Sequence, residues 1–347
     1  MNARSSNRLP VLDGVRAVAI AFVVAAHSIH TSVSISTILG TFGVSVFFVL
    51  SGYLITRTML ADEKVHGRLR IGSFYRRRAL RIFPAFYFFL AVLWVLTLIG
   101  YMPAQDKTTW LASAFYFRNL AGSGVQTSHL WTLSLEEQFY LLWPALFVLS
   151  RRRRLAFIGA VVAVSILWRA IWLYDHSGQM IAVTRPGGFY WRTDFRMDTF
   201  LIGGAFAVAD WGWVKAAPVY LAVPVLLLWV PSAVGISFLA PMDTAVTAFV
   251  IALVIAWLVA NPESMAARLL SWRAAVVIGI LSYSIYLWQQ LFLVPFAHLS
   301  VWNYAGLAVA SCASYWLIER PFLRLRDSRR LETEPAAGLL DRTNSTV

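Results

Sequence analysis

Hydrophobic residues occur along this chain in blocks of about twenty, separated by short polar or basic segments. A helix of that length, at about 1.5 Å per residue, crosses the hydrocarbon core of a bilayer. The pattern predicts an all-α fold, a polytopic transmembrane helix bundle of about ten spans. The predicted spans are residues 12–30, 40–59, 83–100, 133–149, 155–173, 196–210, 216–232, 243–260, 275–296 and 301–318.

The distribution of Lys and Arg predicts the orientation of these spans. With the N-terminus in the cytoplasm, all but six of the 30 basic residues fall in cytoplasmic segments, in agreement with the positive-inside rule. The six are Lys107, Arg118, Arg169, Arg185, Arg192 and Arg196. Both termini are then cytoplasmic, and the chain is a multi-pass protein of the cell (inner) membrane. A short apolar segment, 108–118, is predicted to be an outer interfacial or re-entrant element.

Composition supports a membrane protein and argues against other classes. Hydrophobic residues make up 59% of the chain and charged residues 14%. A net charge of +13 would suggest nucleic acid as the partner of a soluble protein. Here the charge lies between apolar spans, so we expect a lipid bilayer as partner and no nucleic acid. A single cysteine excludes an intramolecular disulfide and a cysteine-based metal cluster, and no metal site is predicted.

Arg16 and His27 lie eleven residues apart in the first span. Eleven residues make about three helical turns, so both side chains share one face, about 16 Å apart along the axis. An ionisable side chain within a span is costly and usually has a function or a partner. His27, predicted near the midplane, is a candidate for proton transfer or a neutral histidine bonded to another helix. Arg16 is either a functional partner or an anchor in the headgroups.

Glu136 and Glu137 begin the otherwise apolar fourth span, which enters from the predicted outer side. One interpretation is structural: acidic residues stabilise the first turn of a helix, and Glu136 and Glu137 would do so here. Adjacent helical residues point about 100° apart, so one carboxylate can face the bundle while the other reaches water. A carboxylate that meets His27 in a cavity would orient the imidazole while it deprotonates an alcohol.

Arg78 and Arg81 are three residues apart, where a basic loop continues into the third span. They share a helix face, and with Arg16 they could bind phosphate at the inner mouth of the bundle. The alternative is that this basic loop sets the topology and nothing more. The run of four arginines at 151–154 is predicted to be solvated and to set orientation.

Seven segments, in order over residues 9–325, resemble the acyltransferase-3 family of integral membrane O-acyltransferases. LDGVRAVAI with His27 is similar to the family's opening R-x10-H helix, and HLWTLSLEEQFYLLWP is the most specific match. The others are GVSVFFVLSGYLIT, FYRRRALRIFPAF with its R-x-x-R, the pair Arg196 and Asp198, LSYSIYLWQQ and IERPF.

The resemblance implies a membrane acyltransferase domain at 9–325, and the polar residues 326–347 are predicted to be a disordered cytoplasmic tail. The implied reaction moves an acyl group, usually acetyl from cytoplasmic acetyl-CoA, to a hydroxyl of a cell-surface or exported glycan. By this resemblance Arg16 and His27 are the essential pair and Glu136 assists His27. Arg78 and Arg81, with Arg16, would contact the acyl-CoA donor substrate. No permanently bound cofactor is implied.

The acceptor stays open among lipopolysaccharide, exopolysaccharide, peptidoglycan and small lipophilic glycosides, with polysaccharide-assembly proteins as possible partners. Acceptor choice is expected in outer loops such as 174–195, whose aromatic residues Phe189, Tyr190 and Trp191 either stack on sugars or anchor the loop. Gln289 stands where relatives commonly have histidine, so a proton-transfer or metal role is not expected there.

Three further expectations concern the type of protein. Some relatives carry a fused extracytoplasmic esterase-like domain, and at 347 residues we expect none here. A proton-coupled transporter with an intramembrane Arg, His and Glu path is the alternative from another class. An inactive relative that serves as a structural partner is a third, which the retention of Arg16, His27 and Glu136 disfavours.

Overall fold

The structure is a computed structural model that describes residues 9–29, 33–175, 188, 191–209, 211–221, 240–294 and 298–333. Statements about the structure refer to these residues. The predicted seventh span, 216–232, and most of the outer loop 174–195 lie largely outside them. So does the end of the predicted tail, from residue 334 onward.

The described residues form helices and turns, which confirms the all-α class. The helices are α1 (Pro10–Ser28), α2 (Val33–His66), α3 (Ile71–Leu98), α4 (Lys107–Ala114), α5 (Leu130–Leu149), α6 (Arg154–Asp175), α7 (Thr193–Val208), α8 (Asp243–Ala260), α9 (Met265–Leu270), α10 (Arg273–Leu293), α11 (Val301–Ala313) and α12 (Arg320–Thr333). Six of them, α1, α2, α3, α6, α8 and α10, are long and apolar enough to cross a membrane. The total of about ten spans stays a prediction.

Several helices extend beyond the predicted spans, because an apolar window does not register a polar continuation of the same helix. Helix α2 has 34 residues, and its end carries the charged segment that includes Asp62 and Glu63. A π-helical segment, Ser314–Glu319, joins α11 to α12. The predicted domain boundary at residue 325 therefore falls inside a continuous helix.

The loops that join α2 to α3 and α5 to α6 are linked by ion pairs. Glu63 lies 2.8 Å from Arg151 and 2.7 Å from Arg154. The guanidinium of Arg154 also lies over the Phe147 ring, at 3.7 Å. The prediction that residues 151–154 form a solvated run holds for Arg151, which is 61% exposed, but is wrong for Arg154, which is 10% exposed and packs on Phe147 and Glu63.

Other basic residues lie at this same end of the bundle. Arg81 interacts electrostatically with Arg16, Arg78 and Arg326, which come from three different helices. The carbonyl of Leu270, just before α10, packs against Gly14 at the start of α1. We call this end, which holds Arg16, Arg78, Arg81, Arg151 and Arg154, the basic end.

Helices α2 and α7 approach each other closely through two glycines. A Cβ atom on Gly203 would lie 2.1 Å from the carbonyl oxygen of Val49, and one on Gly52 would lie 1.8 Å from that of Phe200. Small residues of this kind let helix backbones meet in membranes, where lipid supplies no hydrophobic force between helices. This contact fixes α7 against α2.

We expect Gly203→Ala to destabilise the protein by about 1–3 kcal/mol, because the added methyl group must push two backbones apart. Gly159→Ala is the matched control. It lies within α6 with no atom near its Cβ position, so it should be neutral or stabilising by about 0.5–1 kcal/mol. Unfolding in mixed micelles measures both, and equal effects would contradict the close approach of α2 and α7.

A buried ion pair connects three helices at the end opposite the basic end. Arg169 of α6 lies 2.6 Å from Asp198 of α7, and both side chains are fully buried. Thr244 of α8 also donates to Asp198, at 3.2 Å. The sequence singled out Arg196 beside Asp198, but the cation paired with Asp198 is Arg169, and Arg196 instead donates to Ser45.

The predicted interfacial segment 108–118 is helical over its first part. Helix α4 begins after Asp106, whose side chain accepts from the Thr109 amide at 2.7 Å. This hydrogen bond is the largest cause that holds the pKa of Asp106 below its ordinary value. The loop that follows is fixed by Arg118, which donates to the carbonyls of Gly122 and Gly124.

Candidate functional site

Two helix faces carry the candidate site, one on α1 and one on α5. On α1, Arg16 and His27 share a face, as their spacing predicts. At α5, His129, the residue just before the helix, and Tyr140 are also eleven residues apart, and Glu136 lies two turns after His129 on the same face. Arg16 interacts electrostatically with Tyr140 and Glu136, and His27 with His129. The two faces therefore run antiparallel, opposite each other, over about 16 Å.

The basic half of the site is built around Arg78. Its guanidinium lies 3.8 Å from Glu136 and 3.6 Å over the ring of Tyr140. The Tyr140 hydroxyl donates to Glu136 at 2.5 Å and is 3.0 Å from Ser51 of α2. These contacts hold three side chains in fixed mutual positions.

This half of the site has an excess of positive charge. Of Arg16, Arg78 and Arg81, Arg78 is the one with a carboxylate of the described chain within ion-pair distance. The Nε atom of Arg78 is buried and has no hydrogen-bond partner among the described residues. A buried donor without an acceptor is costly, so the geometry favours an anionic ligand that supplies one.

The structure places Glu136 differently from the expectation that it reaches His27 from the outer side. Helix α5 begins at Leu130 and not at 133, so Glu136 lies about 9 Å inside the helix. Its hydrogen bond and ion pair are with Tyr140 and Arg78. Glu136 therefore belongs to the arginine cluster, which the sequence pattern did not indicate.

Glu137 was expected to be the carboxylate that reaches water if Glu136 faces the bundle. Its Oε1 atom is instead buried and without a hydrogen-bond partner among the described residues. It interacts electrostatically with Arg78 and Glu136, and also with Tyr87 and Tyr116. The two carboxylates point in different directions, as their adjacency requires.

His27 is held in one tautomer by the backbone of its own helix. Its Nδ1 lies 2.8 Å from the carbonyl oxygen of Val23. Because that carbonyl can only accept, Nδ1 carries the proton in the neutral ring and the lone pair is on Nε2. His27 lies in the last turn of α1, about 26 Å from Pro10. Its depth in the bilayer stays a prediction.

His129 is a second histidine at this end, which the sequence reasoning treated only as part of a motif. It is 4% exposed, and its Nε2 lies 3.1 Å from the Leu287 carbonyl. The same argument puts its lone pair on Nδ1, which is buried and without a hydrogen-bond partner among the described residues. The eleven-residue spacing between His129 and Tyr140, equal to that between Arg16 and His27, is the sequence signal that could have indicated His129 as a site residue.

A small cavity of about 20 Å³ has Glu136 in its wall. It is lined by Val44, Phe47, Phe48, Thr132, Leu133, Glu136 and Tyr286. The Tyr286 hydroxyl donates to the carbonyl of His129 at 2.7 Å and lies 2.5 Å from the Thr132 hydroxyl. Gln289, one turn further along α10, is fully buried and donates to Gln290.

Together these features define a helical membrane protein with a histidine end and an arginine end to one internal site. The family model described as an acyltransferase domain matches residues 9–319, and the chain belongs to this family. The predicted family is confirmed.

The relatives it matches are similar over most of this chain. OatA of Listeria monocytogenes, a peptidoglycan O-acetyltransferase, is 28% identical over 82% of this chain and 49% of OatA. The O-acetyltransferase OatA of Staphylococcus aureus is 29% identical over 82% of this chain and 50% of its own length. YrhL of Bacillus subtilis is 29% identical over 90% and 54%. The chain thus spans about half the length of these curated relatives. No solved structure matches it.

Proposed function

We propose that this protein is a membrane O-acetyltransferase that moves acetyl from cytoplasmic acetyl-CoA to a hydroxyl of a cell-surface glycan. The observation that carries the proposal is the facing pair of helix surfaces, with arginines at one end and histidines at the other. The names of the relatives favour a peptidoglycan-type acceptor. The basic end then faces the cytoplasm of a ten-span bundle in the cytoplasmic membrane, as the excess of arginines there supports.

The arginine cluster suits the phosphates of CoA. Arg16, Arg78 and Arg81 come from two helices. Among the described residues, one of the three, Arg78, lies within ion-pair distance of a carboxylate, that of Glu136. Phosphate oxygens would satisfy the buried Nε of Arg78. The pantetheine arm of CoA separates its phosphates from the thioester, and the face from Arg16 to His27 offers the same separation. Glu136 and Tyr140 keep Arg78 in place.

His27 supplies the base for the transfer. Its Nε2 takes the proton of the acceptor hydroxyl as the hydroxyl oxygen attacks the thioester carbonyl. The carbon–sulfur bond then breaks, and the imidazolium returns the proton to the CoA thiolate, so CoA leaves as the free thiol. His129, whose Nδ1 lone pair is also buried, interacts electrostatically with His27.

The test is acetyl transfer by purified protein in lipid nanodiscs. Labelled acetyl-CoA is supplied with a soluble glycan acceptor, and both CoA release and acceptor O-acetylation are measured. Transfer that depends on the acceptor supports the proposal. CoA release absent with glycans and with small glycosides alike would favour the transporter alternative.

We expect Arg78→Ala to raise the KM for acetyl-CoA about ten- to hundredfold, because charge-assisted hydrogen bonds to phosphate are lost. Arg76→Ala is the matched control, since Arg76 lies two residues earlier on the same helix with an exposed side chain. Steady-state kinetics at several salt concentrations measures both. Equal KM values for the two variants would contradict a donor site at Arg78.

A further inference from the structure

Three tryptophans lie at the end of the bundle opposite the basic end. Trp131 begins α5, Trp191 precedes α7, and Trp168 lies near the end of α6. The rings of Trp131 and Trp191 are stacked, with centroids 5.4 Å apart and planes 3° from parallel. Both rings are half-buried. Stacking of this kind fixes the orientation of the Trp191 ring.

A charged pair, Arg192 and Asp194, directly follows Trp191 in the chain and contacts Trp168. The Asp194 carboxylate accepts from Arg192 at 2.6 and 3.0 Å and from the indole nitrogen of Trp168 at 2.7 Å. The Asp194 side chain is 43% exposed, so the pair can also bind an incoming ligand. An aromatic ring next to a carboxylate and a guanidinium combines an apolar face with planar polar groups.

These residues adjoin the cavity of the candidate site. Trp131 meets Phe48 edge to face, at 6.1 Å between centroids, and Phe48 lines the cavity together with Glu136. Thr132, the residue after Trp131, lines the same cavity. The buried Phe48 ring therefore lies between this cavity and the pair of Trp131 and Trp191.

We propose that Trp131, Trp191, Arg192 and Asp194 form a sugar-binding subsite for the acceptor glycan, one or more rings away from the sugar that is acetylated. Indole faces pack against the C–H faces of pyranose rings, and carboxylate and guanidinium groups bind sugar hydroxyls. This inference rests on the proposed transfer to a glycan.

The alternative for these rings is a simple anchor at the membrane interface. Anchoring tryptophans direct their rings toward lipid. Trp131 and Trp191 instead cover each other. Arg192 and Asp194 follow Trp191 in the chain, and such charged groups are costly to place in lipid. The arrangement therefore favours a polar, ring-shaped ligand.

The test compares two acceptors, N-acetylglucosamine and its β-1,4-linked tetramer, with acetyl-CoA as donor. In Trp191→Ala we expect the KM for the tetramer to rise about three- to tenfold, the amount typical of one aromatic contact. The KM for the monosaccharide, the KM for acetyl-CoA and kcat should stay unchanged. Trp191→Phe, which keeps a ring, should restore most of the tetramer KM.

Trp302→Ala is the matched control, because Trp302 is 79% exposed at the start of α11 and belongs to no described ring stack. Binding of the tetramer without donor is also measured, on His27→Ala protein, by saturation-transfer NMR and calorimetry. This arm separates the two proposals: absence of transfer by the wild type counts against the proposed function, while the binding difference still tests the subsite. Equal tetramer affinity in Trp191→Ala and Trp302→Ala, or no tetramer binding at all, would overturn it.

Discussion

Substitution of His27 by alanine is expected to lower acetyl transfer at least a hundredfold while the protein still inserts and folds. General-base catalysis contributes about 10²–10⁴ in rate. His27 lies on the same face of α1 as Arg16. Because its Nδ1–H donates to the Val23 carbonyl, its lone pair is on Nε2. The fall should appear in kcat, with the KM for acetyl-CoA little changed, because the arginines at the other end are intact.

His298→Ala is the matched control for this prediction. His298 is exposed and lies between α10 and α11, so its removal should leave transfer unchanged. Both variants are purified in nanodiscs, and their far-UV circular dichroism and thermal unfolding are compared with the wild type. Undiminished acceptor acetylation by a folded His27→Ala protein would remove His27 as the catalytic residue.

The same preparation separates two roles of His27. A general base never carries the acetyl group, whereas a nucleophilic imidazole forms an acetyl-enzyme before the acceptor binds. Labelled acetyl-CoA supplied without acceptor would leave covalent label on the protein in the second case. If the wild type is labelled and His27→Ala is not, His27 carries the acetyl group, and the transfer proceeds in two steps rather than by general-base catalysis.

The part of the site on α1 was predictable because it depends on local periodicity. An eleven-residue spacing fixes the shared face of Arg16 and His27 in any regular helix. Which helix lies opposite depends on tertiary packing. His129 and Tyr140 carry the same spacing on α5, but their alignment with α1 appears only when the two helices are brought together.

The location of Glu136 could not be predicted, because depth was judged from the apolar window and not from the helix itself. The window began at residue 133, whereas α5 begins at Leu130 and contains the motif's polar residues as helical positions. Similarly, the charged end of α2 was outside every apolar window, so the ion pairs of Glu63 were not indicated. A hydropathy window detects segments that face lipid. Glu136 lies inside the bundle and Glu63 lies past the end of the apolar part of α2, so the window indicates neither position.

The largest effect on stability is expected at the buried pair of Arg169 and Asp198. Asp198→Leu should lower the free energy of unfolding by about 3–5 kcal/mol, because it leaves a buried guanidinium without its counter-charge. Both side chains are fully buried, at 2.6 Å, and they connect α6, α7 and α8. Arg169→Met should cost a similar amount, since Asp198 then keeps its bonds from Thr199 and Thr244 but loses its cation.

The double variant decides whether the charges or the packing carry this effect. If uncompensated charge is the cause, Arg169→Met with Asp198→Leu costs less than the sum of the single changes. Part of the loss should persist, because Arg169 also donates to the carbonyls of Pro241 and Phe195. Glu263→Ala, which breaks the exposed pair with Arg268, should cost less than about 1 kcal/mol in the same mixed-micelle titration. Strict additivity of the two single changes would show that α6, α7 and α8 are held by packing, and that the ion pair contributes no coupling.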